Sequence, residues 1–170
     1  MSVVVRPARP DDLPAILAIY NDAVVNTTAI WNDSLADLQN RKTWFESRAI
    51  QGYPVLVGEE AGAILGYASF GDFRAFDGYR FTVEDSVYVA PEARRRGIAS
   101  ALLAALIERA TVIGKHVMVA GIAGDNEVSI RLHARHGFVE TARMPEVGFK
   151  FGRWLDLVFM QRRLGPGAGR

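Results

Sequence analysis

One stretch of the chain, residues 86–103, constrains the possible folds more than any other. It begins with the run Ser86–Val89, passes through a short basic loop with one glycine, and continues with apolar residues at helical spacing. A strand that leads directly into a helix leaves free backbone N–H groups at the helix N-terminus, and here positive charge lies beside them. The stretch therefore predicts alternating strands and helices and a site for an anion such as a pyrophosphate.

The chain has 170 residues, a net charge of +1 and no cysteine. This length is typical of one domain and is enough to bury a core without disulfides or metal ions. The lack of cysteine excludes disulfides, cysteine-ligated zinc and thiol nucleophiles. No apolar run approaches the ~20 residues of a membrane helix, and no signal peptide is visible. We therefore expect a cytoplasmic protein with no membrane partner.

Periodic patterns of apolar residues predict the element order β-α-α-β-β-β-α-β-α-β-β. This order predicts an α/β (α+β) fold, with one mixed, mostly antiparallel sheet of about seven strands and helices on both faces. A single domain is expected over residues 1–163, followed by a disordered tail at 164–170. The predicted strands are 3–6, 54–59, 63–70, 82–90, 116–122, 138–143 and 153–161. The predicted helices are one that begins after Asp11 or Asp12, then 35–50, 98–113 and 127–135.

The central motif is Arg94-x-x-Gly97-x-Ala99. Gly97 lets backbone approach a ligand closely, and Ala99 keeps the next turn open. A plain strand-to-helix turn with solvated arginines has the same spacing, so the motif alone leaves both interpretations open. The P-loop pattern and the dinucleotide pattern G-x-G-x-x-G are both absent, which argues against those nucleotide folds. Three neighbouring arginines in a chain of low net charge do not indicate a nucleic-acid partner.

After the Val87–Val89 strand, this motif resembles the acetyl-CoA-binding motif of the GNAT superfamily of N-acetyltransferases. The downstream pattern Asn126-x-x-Ser129-x-x-Leu132-x-x-x-His136-Gly137-Phe138 is similar to the second half of that cofactor site. Further matches resemble the phosphinothricin acetyltransferase branch, and within it the methionine sulfoximine/methionine sulfone acetyltransferases. They are Tyr20-Asn21, Thr27-Thr28, Thr82-Val83-Glu84 and Phe151-Gly152-Arg153-Trp154. The resemblance spans residues 3–162 and implies acetyl-CoA as co-substrate, no metal, and a homodimer.

The resemblance implies that backbone N–H groups of residues 95–100 bind the diphosphate of acetyl-CoA. It also implies that the pantetheine arm lies beside the preceding strand as an added strand would. We expect the N–H of Val89 to polarise the thioester carbonyl. Asn126 is expected to reach the cofactor, to cap a helix, or to do both. The predicted cofactor-binding residues are Val87, Tyr88, Val89, Arg94, Arg95, Arg96, Gly97, Ile98, Ala99, Ser100 and Asn126.

The resemblance makes Glu84 the general base that takes a proton from the incoming amine. Its neighbour Asp85 should point to the opposite face of the strand, so that only one carboxylate serves. His133 stands where many members of the superfamily have a tyrosine that protonates the leaving thiolate. A neutral His133 can donate that proton, although a packed histidine is an equally open interpretation. The spacing of the three histidines does not suggest a metal site.

The loop Phe73–Phe76 is the candidate for amine recognition, because Arg74 offers a fork for a carboxylate between aromatic walls. Thr27 and Trp31 are expected to close the other side, with core packing as the alternative role of these aromatic residues. The predicted substrate-binding residues are Thr27, Trp31, Phe73, Arg74, Ala75, Phe76, Glu84, Asp85 and Ser86.

The predicted reaction is direct attack by the α-amine of a small amino acid or analogue on acetyl-CoA in a ternary complex. No cysteine is present to form an acetyl-enzyme. The resemblance favours methionine sulfoximine, methionine sulfone or phosphinothricin as the small-molecule amine. Two alternatives remain open at this point: acetylation of a protein N-terminus or other amine, and a non-catalytic acetyl-CoA-binding sensor.

Overall fold

The computed structural model describes residues 3–165. Within this range the predicted strands and helices are all present and follow the predicted order. The strands are β1 (Val4–Pro7), β2 (Val55–Glu60), β3 (Ala63–Asp72), β4 (Thr82–Val89), β5 (Val117–Ala123), β6 (Val139–Lys150) and β7 (Arg153–Arg163). The helices are α1 (Leu13–Asn26), α2 (Leu38–Gln51), α3 (Ile98–Val112) and α4 (Glu127–Arg135).

The strands form one sheet in the order β1-β2-β3-β4-β5-β7-β6. Neighbouring strands run antiparallel except for β4 and β5, which are parallel. The sheet is therefore mixed and mostly antiparallel, as predicted. Within residues 3–165, no helix is both long and apolar enough to cross a membrane.

Helices cover both faces of the sheet. On one face Tyr67 of β3 packs edge-on against Trp44 of α2, with ring centroids 5.9 Å apart. On the other face a Cβ added to the neighbouring Gly66 would lie 3.2 Å from Ile98 of α3. Successive side chains of β3 thus point to opposite faces of the sheet, one covered by α1 and α2 and the other by α3. The core between these layers is apolar, and Ile16 of α1 is fully buried in it.

Strand β6 is longer than expected, because the prediction ended it at residue 143. The segment Met144-Pro145-Glu146 interrupts the alternating pattern, and the register with β7 shifts between Met144 and Gly148. At this irregularity Glu146 adopts a left-handed φ of 54°. The strand resumes after this bulge and continues to Lys150, which the sequence pattern alone did not indicate.

Two expectations at the ends of the chain also differ from the structure. Asp12 does not cap α1 with its side chain; its carboxylate accepts hydrogen bonds from Arg6 at 2.7 and 2.9 Å and from the N–H of Arg9. Leu164, placed in the predicted tail, is buried and donates its N–H to the carbonyl of His116. Residues 166–170 of that predicted tail lie outside the described range.

The sheet opens between its two parallel strands. β4 and β5 pair only over Thr82–Glu84 and Val117–Val119, and then diverge. Beyond this point β4 stays paired with β3, and β5 stays paired with β7. The divergence leaves a wedge-shaped cleft whose two edges are strand backbone, and α4 lies beside it.

Candidate active site

The turn before α3 offers a row of free N–H groups. Arg95 and Gly97 adopt left-handed φ angles of 63° and 80°, and the first main-chain hydrogen bond of the helix runs from Ala101 to Gly97. Among residues 3–165, no backbone carbonyl or side chain accepts from the N–H groups of residues 95–100. Open space surrounds the Gly97 Cα. These groups fit a diphosphate, because they combine unpaired donors with the positive end of a helix.

The three arginines of this turn are exposed at its rim. Arg94 pairs with Asp22 at 3.3 Å, and Arg96 pairs with Glu60. Exposed ion pairs of this kind contribute little to stability, so a phosphate can displace a carboxylate at low cost. The positive charge predicted here is present, and two of the guanidinium groups have partners within the protein.

The β4 edge of the cleft presents unpaired backbone. Ala90 donates its N–H to Leu65 of β3, and the carbonyl of Thr82 accepts from Phe73, so even-numbered residues of β4 direct their main chain toward β3. Val87 and Val89 consequently direct their N–H and carbonyl groups into the cleft. This orientation suits an added strand, as the prediction for these two residues requires.

Tyr88 lies between these two valines but differs from the expectation. Its main chain points to β3, so its backbone is not available to a ligand in the cleft. Its ring packs against Tyr67 with centroids 5.3 Å apart, and the residue borders the cleft. Burial raises the pKa of the Tyr88 phenol to about 12.

Asn126 closes the far end of the cleft at the start of α4. Its side-chain oxygen accepts from the N–H of Ser129 at 3.1 Å, so its helix-capping role is present. The residue also lines the cleft. Its amide nitrogen makes no hydrogen bond to another described residue, so capping and ligand binding are compatible.

Glu84 lies where β4 leaves β5, on the face covered by α1 and α2. A Cβ added to Gly121 of β5 would lie 2.8 Å from its Oε1, so the carboxylate rests directly over a glycine. No described residue donates a hydrogen bond to this carboxylate. Burial raises the pKa of Glu84, the charge of Arg74 opposes that shift, and the charge of Asp85 adds to it. An unpaired carboxylate with a raised pKa has the properties of a general base.

Asp85 points to the opposite face, as predicted, and binds His133 of α4. The distance between His133 Nε2 and Asp85 Oδ2 is 3.0 Å, and both side chains are at most 5% exposed. His133 Nδ1 lies 2.8 Å from the carbonyl oxygen of Ser129. Burial alone would lower the pKa of His133, but the hydrogen bond and charge of Asp85 outweigh it and raise that pKa.

A carbonyl oxygen and a carboxylate flank the ring, so both ring nitrogens face an acceptor, and this arrangement favours the protonated form of His133. This differs from the neutral histidine considered from the sequence. The Asp85 side chain is likewise committed to this pair, so only the Asp85 backbone faces the cleft. Within the described part of the chain, no cluster of three His, Asp or Glu side chains is arranged to hold a metal ion.

The loop after β3 brings part of the predicted amine site together. Phe73 packs edge-on against Tyr79 and Phe159, with centroids 5.7 and 6.1 Å away. Arg74 lies 4.2 Å above the Phe73 ring, and its charge acts on Glu84. Ala75 and Phe76 are exposed, and Phe76 is 78% accessible. The last two residues therefore do not converge with the others in this conformation.

Thr27 and Trp31, which were predicted to close the other side of the amine site, make different contacts in the structure. The Thr27 hydroxyl donates to the carbonyl of Ala23 at 2.6 Å and accepts from the N–H of Ala29, so it caps α1. Trp31 lies over Gly148 of β6, where an added Cβ would overlap its ring. Within this loop, Ala29 is the residue that lines the cleft.

Ser86 also lines the cleft, on the same side of β4 as Glu84. Four residues that line the cleft were neither predicted site residues nor part of a quoted motif: Ala29, Gly121, Ile122 and Ala123. A glycine within a buried β-branched strand is a signal for close approach, and it would have identified Gly121. The cleft is lined by Ala29, Asp85, Ser86, Val87, Tyr88, Gly121, Ile122, Ala123, Asn126, Ser129 and His133.

Comparison with known proteins agrees with this geometry. The model of the acetyltransferase (GNAT) family matches residues 16–138. The L-methionine sulfoximine/L-methionine sulfone acetyltransferase of Pseudomonas aeruginosa is 59% identical over 98% of this chain and 97% of its own. The phosphinothricin N-acetyltransferase of Alcaligenes faecalis is 42% identical over 96% of this chain and 83% of its own.

Among solved structures, yncA of Salmonella typhimurium with its cofactor acetyl-CoA superposes with a TM-score of 0.96. It is 55% identical and covers 100% of this chain and 98% of its own. The predicted family, fold and class of enzyme are confirmed by these similarities. The family model covers well over half of the chain and the curated relatives are up to 59% identical, so the chain belongs to the GNAT family of acetyltransferases.

Proposed function

We propose that this protein moves acetyl from acetyl-CoA to the α-amine of a small amino acid or analogue. Methionine sulfone, methionine sulfoximine and phosphinothricin are the proposed acceptors. The observation that carries the proposal is the unpaired, half-buried carboxylate of Glu84 beside unpaired β4 backbone. The names of the relatives, which are acetyltransferases for these three compounds, support the choice of acceptor.

Acetyl-CoA, when bound, supplies an acetyl group activated as a thioester. The N–H groups of residues 95–100 hold its diphosphate, and the arginines of that turn add positive charge. Val87 and Val89 hold the pantetheine arm by main-chain hydrogen bonds, and the Asn126 amide reaches it from α4. The N–H of Val89 polarises the acetyl carbonyl and stabilises the negative charge that develops on its oxygen.

Glu84 removes a proton from the ammonium form of the acceptor, directly or through a water molecule. Its pKa, raised by burial, makes it a better base than an exposed glutamate. The freed amine attacks in a ternary complex, because the chain has no thiol that would carry the acetyl group. Arg74 holds the carboxylate of the acceptor by a charge-assisted pair.

His133 protonates or electrostatically stabilises the departing thiolate. The imidazolium that Asp85 maintains is a donor with a raised pKa, which suits a thiolate of ordinary pKa near 8.5. This role requires its Nε2 proton to be shared between Asp85 and the leaving group. The position of His133 on the lining of the cleft supports it.

We also propose that two copies of the chain form a homodimer through the β6–β7 end of the sheet. Large apolar side chains are exposed there on an edge strand, on its neighbour and in the turn between them, which is uncommon for a monomer. They are Met144, Val147, Phe149, Phe151 and Trp154. Light scattering on the eluted protein should give twice the chain mass, and a single chain mass at micromolar concentration would contradict this proposal.

The function is tested by mixing the protein with acetyl-CoA and following thiol release. The panel contains methionine sulfone, methionine sulfoximine, phosphinothricin, ordinary amino acids, a polyamine and a peptide with a free N-terminus. Because the chain has no cysteine, the protein contributes no thiol background. Fast release with one of the three analogues is expected, and Glu84→Gln should slow it about 100-fold or more while retaining acetyl-CoA binding.

Release with only the peptide or the polyamine would refute the proposed acceptors and leave the family intact. Tight acetyl-CoA binding with no release for any amine would favour a sensor instead.

A further inference from the structure

A buried ammonium lies behind the acceptor wall of the cleft. Lys150, at the end of β6, is 2% exposed, although lysine is rarely buried. Its Nζ donates to three carbonyl oxygens: Val24 at 2.5 Å, Thr27 at 2.8 Å and Ile30 at 2.5 Å. Each of its three protons therefore has one acceptor. Among residues 3–165, no carboxylate forms an ion pair with it.

The three carbonyls belong to the end of α1 and the loop that follows. The last carbonyls of a helix lack partners within it and form its negative end. The Thr27 hydroxyl binds the carbonyl of Ala23, and Lys150 binds the next one. The same ammonium also binds two loop carbonyls, which holds residues 27–30 in a tight curve around the lysine.

Other contacts from the β6–β7 end hold the same loop. The Trp31 ring lies on Gly148, and its indole N–H donates to the carbonyl of Thr28 at 2.9 Å. The Thr28 hydroxyl donates to Asp125 at 2.9 Å, and Asp125 pairs with Arg153 at 2.5 Å. Residues 27–31 of the loop are therefore held at several points by the β6–β7 end of the sheet and by Asp125.

This loop reaches the cleft through Ala29, across from Ser86 and Gly121. We infer that Lys150 is a positioning residue for the acceptor amine: its ammonium fixes residues 27–31 as a wall and so determines which amines fit. The inference rests on the proposed function, because it assigns that wall to the acceptor. Lys150 touches neither reacting group and acts only through the loop.

The test compares Lys150→Met with Val57→Ala. Methionine keeps the length of the side chain but leaves three buried carbonyls without a donor. Val57 is fully buried in β2, away from the cleft, and serves as a control for general loss of stability. For Lys150→Met we expect the KM of the acceptor to rise about tenfold or more, since charge-assisted hydrogen bonds are lost. The Kd of acetyl-CoA, measured by calorimetry, should change much less than the acceptor KM, because the N–H groups proposed to hold its diphosphate, at residues 95–100, belong to a different segment.

A second variant reaches the same wall without removing the charge. Gly148→Ala places a methyl group against the Trp31 ring and should also raise the acceptor KM. It keeps the inference testable if Lys150→Met fails to fold. Parallel changes in kcat, KM and acetyl-CoA Kd in Lys150→Met and Val57→Ala, at equal losses of Tm, would show a merely structural role and overturn the inference.

A readout without turnover separates this inference from the proposed function. The indole N–H signal of Trp31, assigned with Trp31→Phe, should shift in Lys150→Met even with no amine present. An unmoved signal overturns the inference whatever the kinetics. A moved signal, together with a wild-type protein that acetylates none of the amines, would refute the proposed function and still support Lys150 as the residue that fixes the loop.

Discussion

The contact between Glu84 and Gly121 predicts an unusual effect for a small substitution. In Gly121→Ala, the new Cβ would lie 2.8 Å from Glu84 Oε1, 3.6 Å from Phe159 and 3.7 Å from Leu157. The two apolar distances are ordinary contacts, so only the carboxylate has to move. Gly121 has no left-handed φ, and an alanine fits its backbone. We therefore expect this variant to fold with nearly unchanged stability.

The size of the effect follows from that one distance. An unstrained carbon-to-oxygen contact needs roughly 3.3 Å or more, so the carboxylate must withdraw by about half an ångström or change rotamer. Misplacing a catalytic group by 1 Å costs up to about 100-fold in rate. We expect kcat to fall about 10- to 100-fold, with the Kd of acetyl-CoA unchanged. Removing the base in Glu84→Gln should cost about 100- to 10,000-fold.

A double-mutant cycle tests the reasoning. If Gly121→Ala acts through the carboxylate, it should add little to the loss already seen in Glu84→Gln. Gly78→Ala is the matched control, because open space surrounds that glycine and its φ is not left-handed. Single-turnover thiol release with methionine sulfone gives the rates. Wild-type activity in Gly121→Ala, or additive losses in the double variant, would refute the assignment of Glu84 as the base.

Three further predictions follow from the site. Arg74→Gln should raise the KM of an amino-acid acceptor about 10- to 100-fold, because it removes a charged partner of the acceptor carboxylate. The Kd of acetyl-CoA, measured by calorimetry, should be unchanged. An acceptor KM equal to that of the wild type would show that Arg74 takes no part in acceptor recognition. Gly97→Ala costs about 1–2 kcal/mol of left-handed strain and should weaken acetyl-CoA binding about 5- to 30-fold in the same assay. The raised pKa of His133 stabilises the fold below pH 6.5, and that contribution disappears as pH rises through the raised value. In urea unfolding, the stability difference between wild type and Asp85→Asn should therefore shrink from pH 6 to pH 9, and a constant difference would contradict the imidazolium.

The fold and the turn before α3 were predictable because their signals are local. Periodicity identifies each element, and one glycine in a basic turn before an apolar helix predicts the free N–H groups of that turn. The opposite directions of Glu84 and Asp85 also follow from the two-residue period of a strand. These features depend on neighbours in the chain, and the structure agrees with them.

The parts of the site that the sequence did not reveal depend on contacts between distant segments. Lys150 meets the end of α1 across more than 100 residues, and nothing near it distinguishes a buried lysine from an exposed one. Thr27 was predicted to contact the substrate, but its hydroxyl donates a hydrogen bond to the carbonyl of Ala23 at the end of α1. The pairing of Asp85 with His133 was missed because these two residues are 48 positions apart in the sequence.

One strand separates the two proton-handling roles that we propose for this site. Glu84 and Asp85 are neighbours in sequence, yet the pleat of β4 directs one toward α1 and α2 and the other toward α4. On the first side the carboxylate has a glycine beneath it and no hydrogen-bond partner, which leaves it free to accept a proton. On the second side the Asp85 carboxylate binds His133, and the raised pKa of His133 favours its protonated form. Asp85 and His133 line the cleft, and Glu84 lies where the pairing of β4 with β5 ends, so the proposed base and acid need no separate elements to hold them apart.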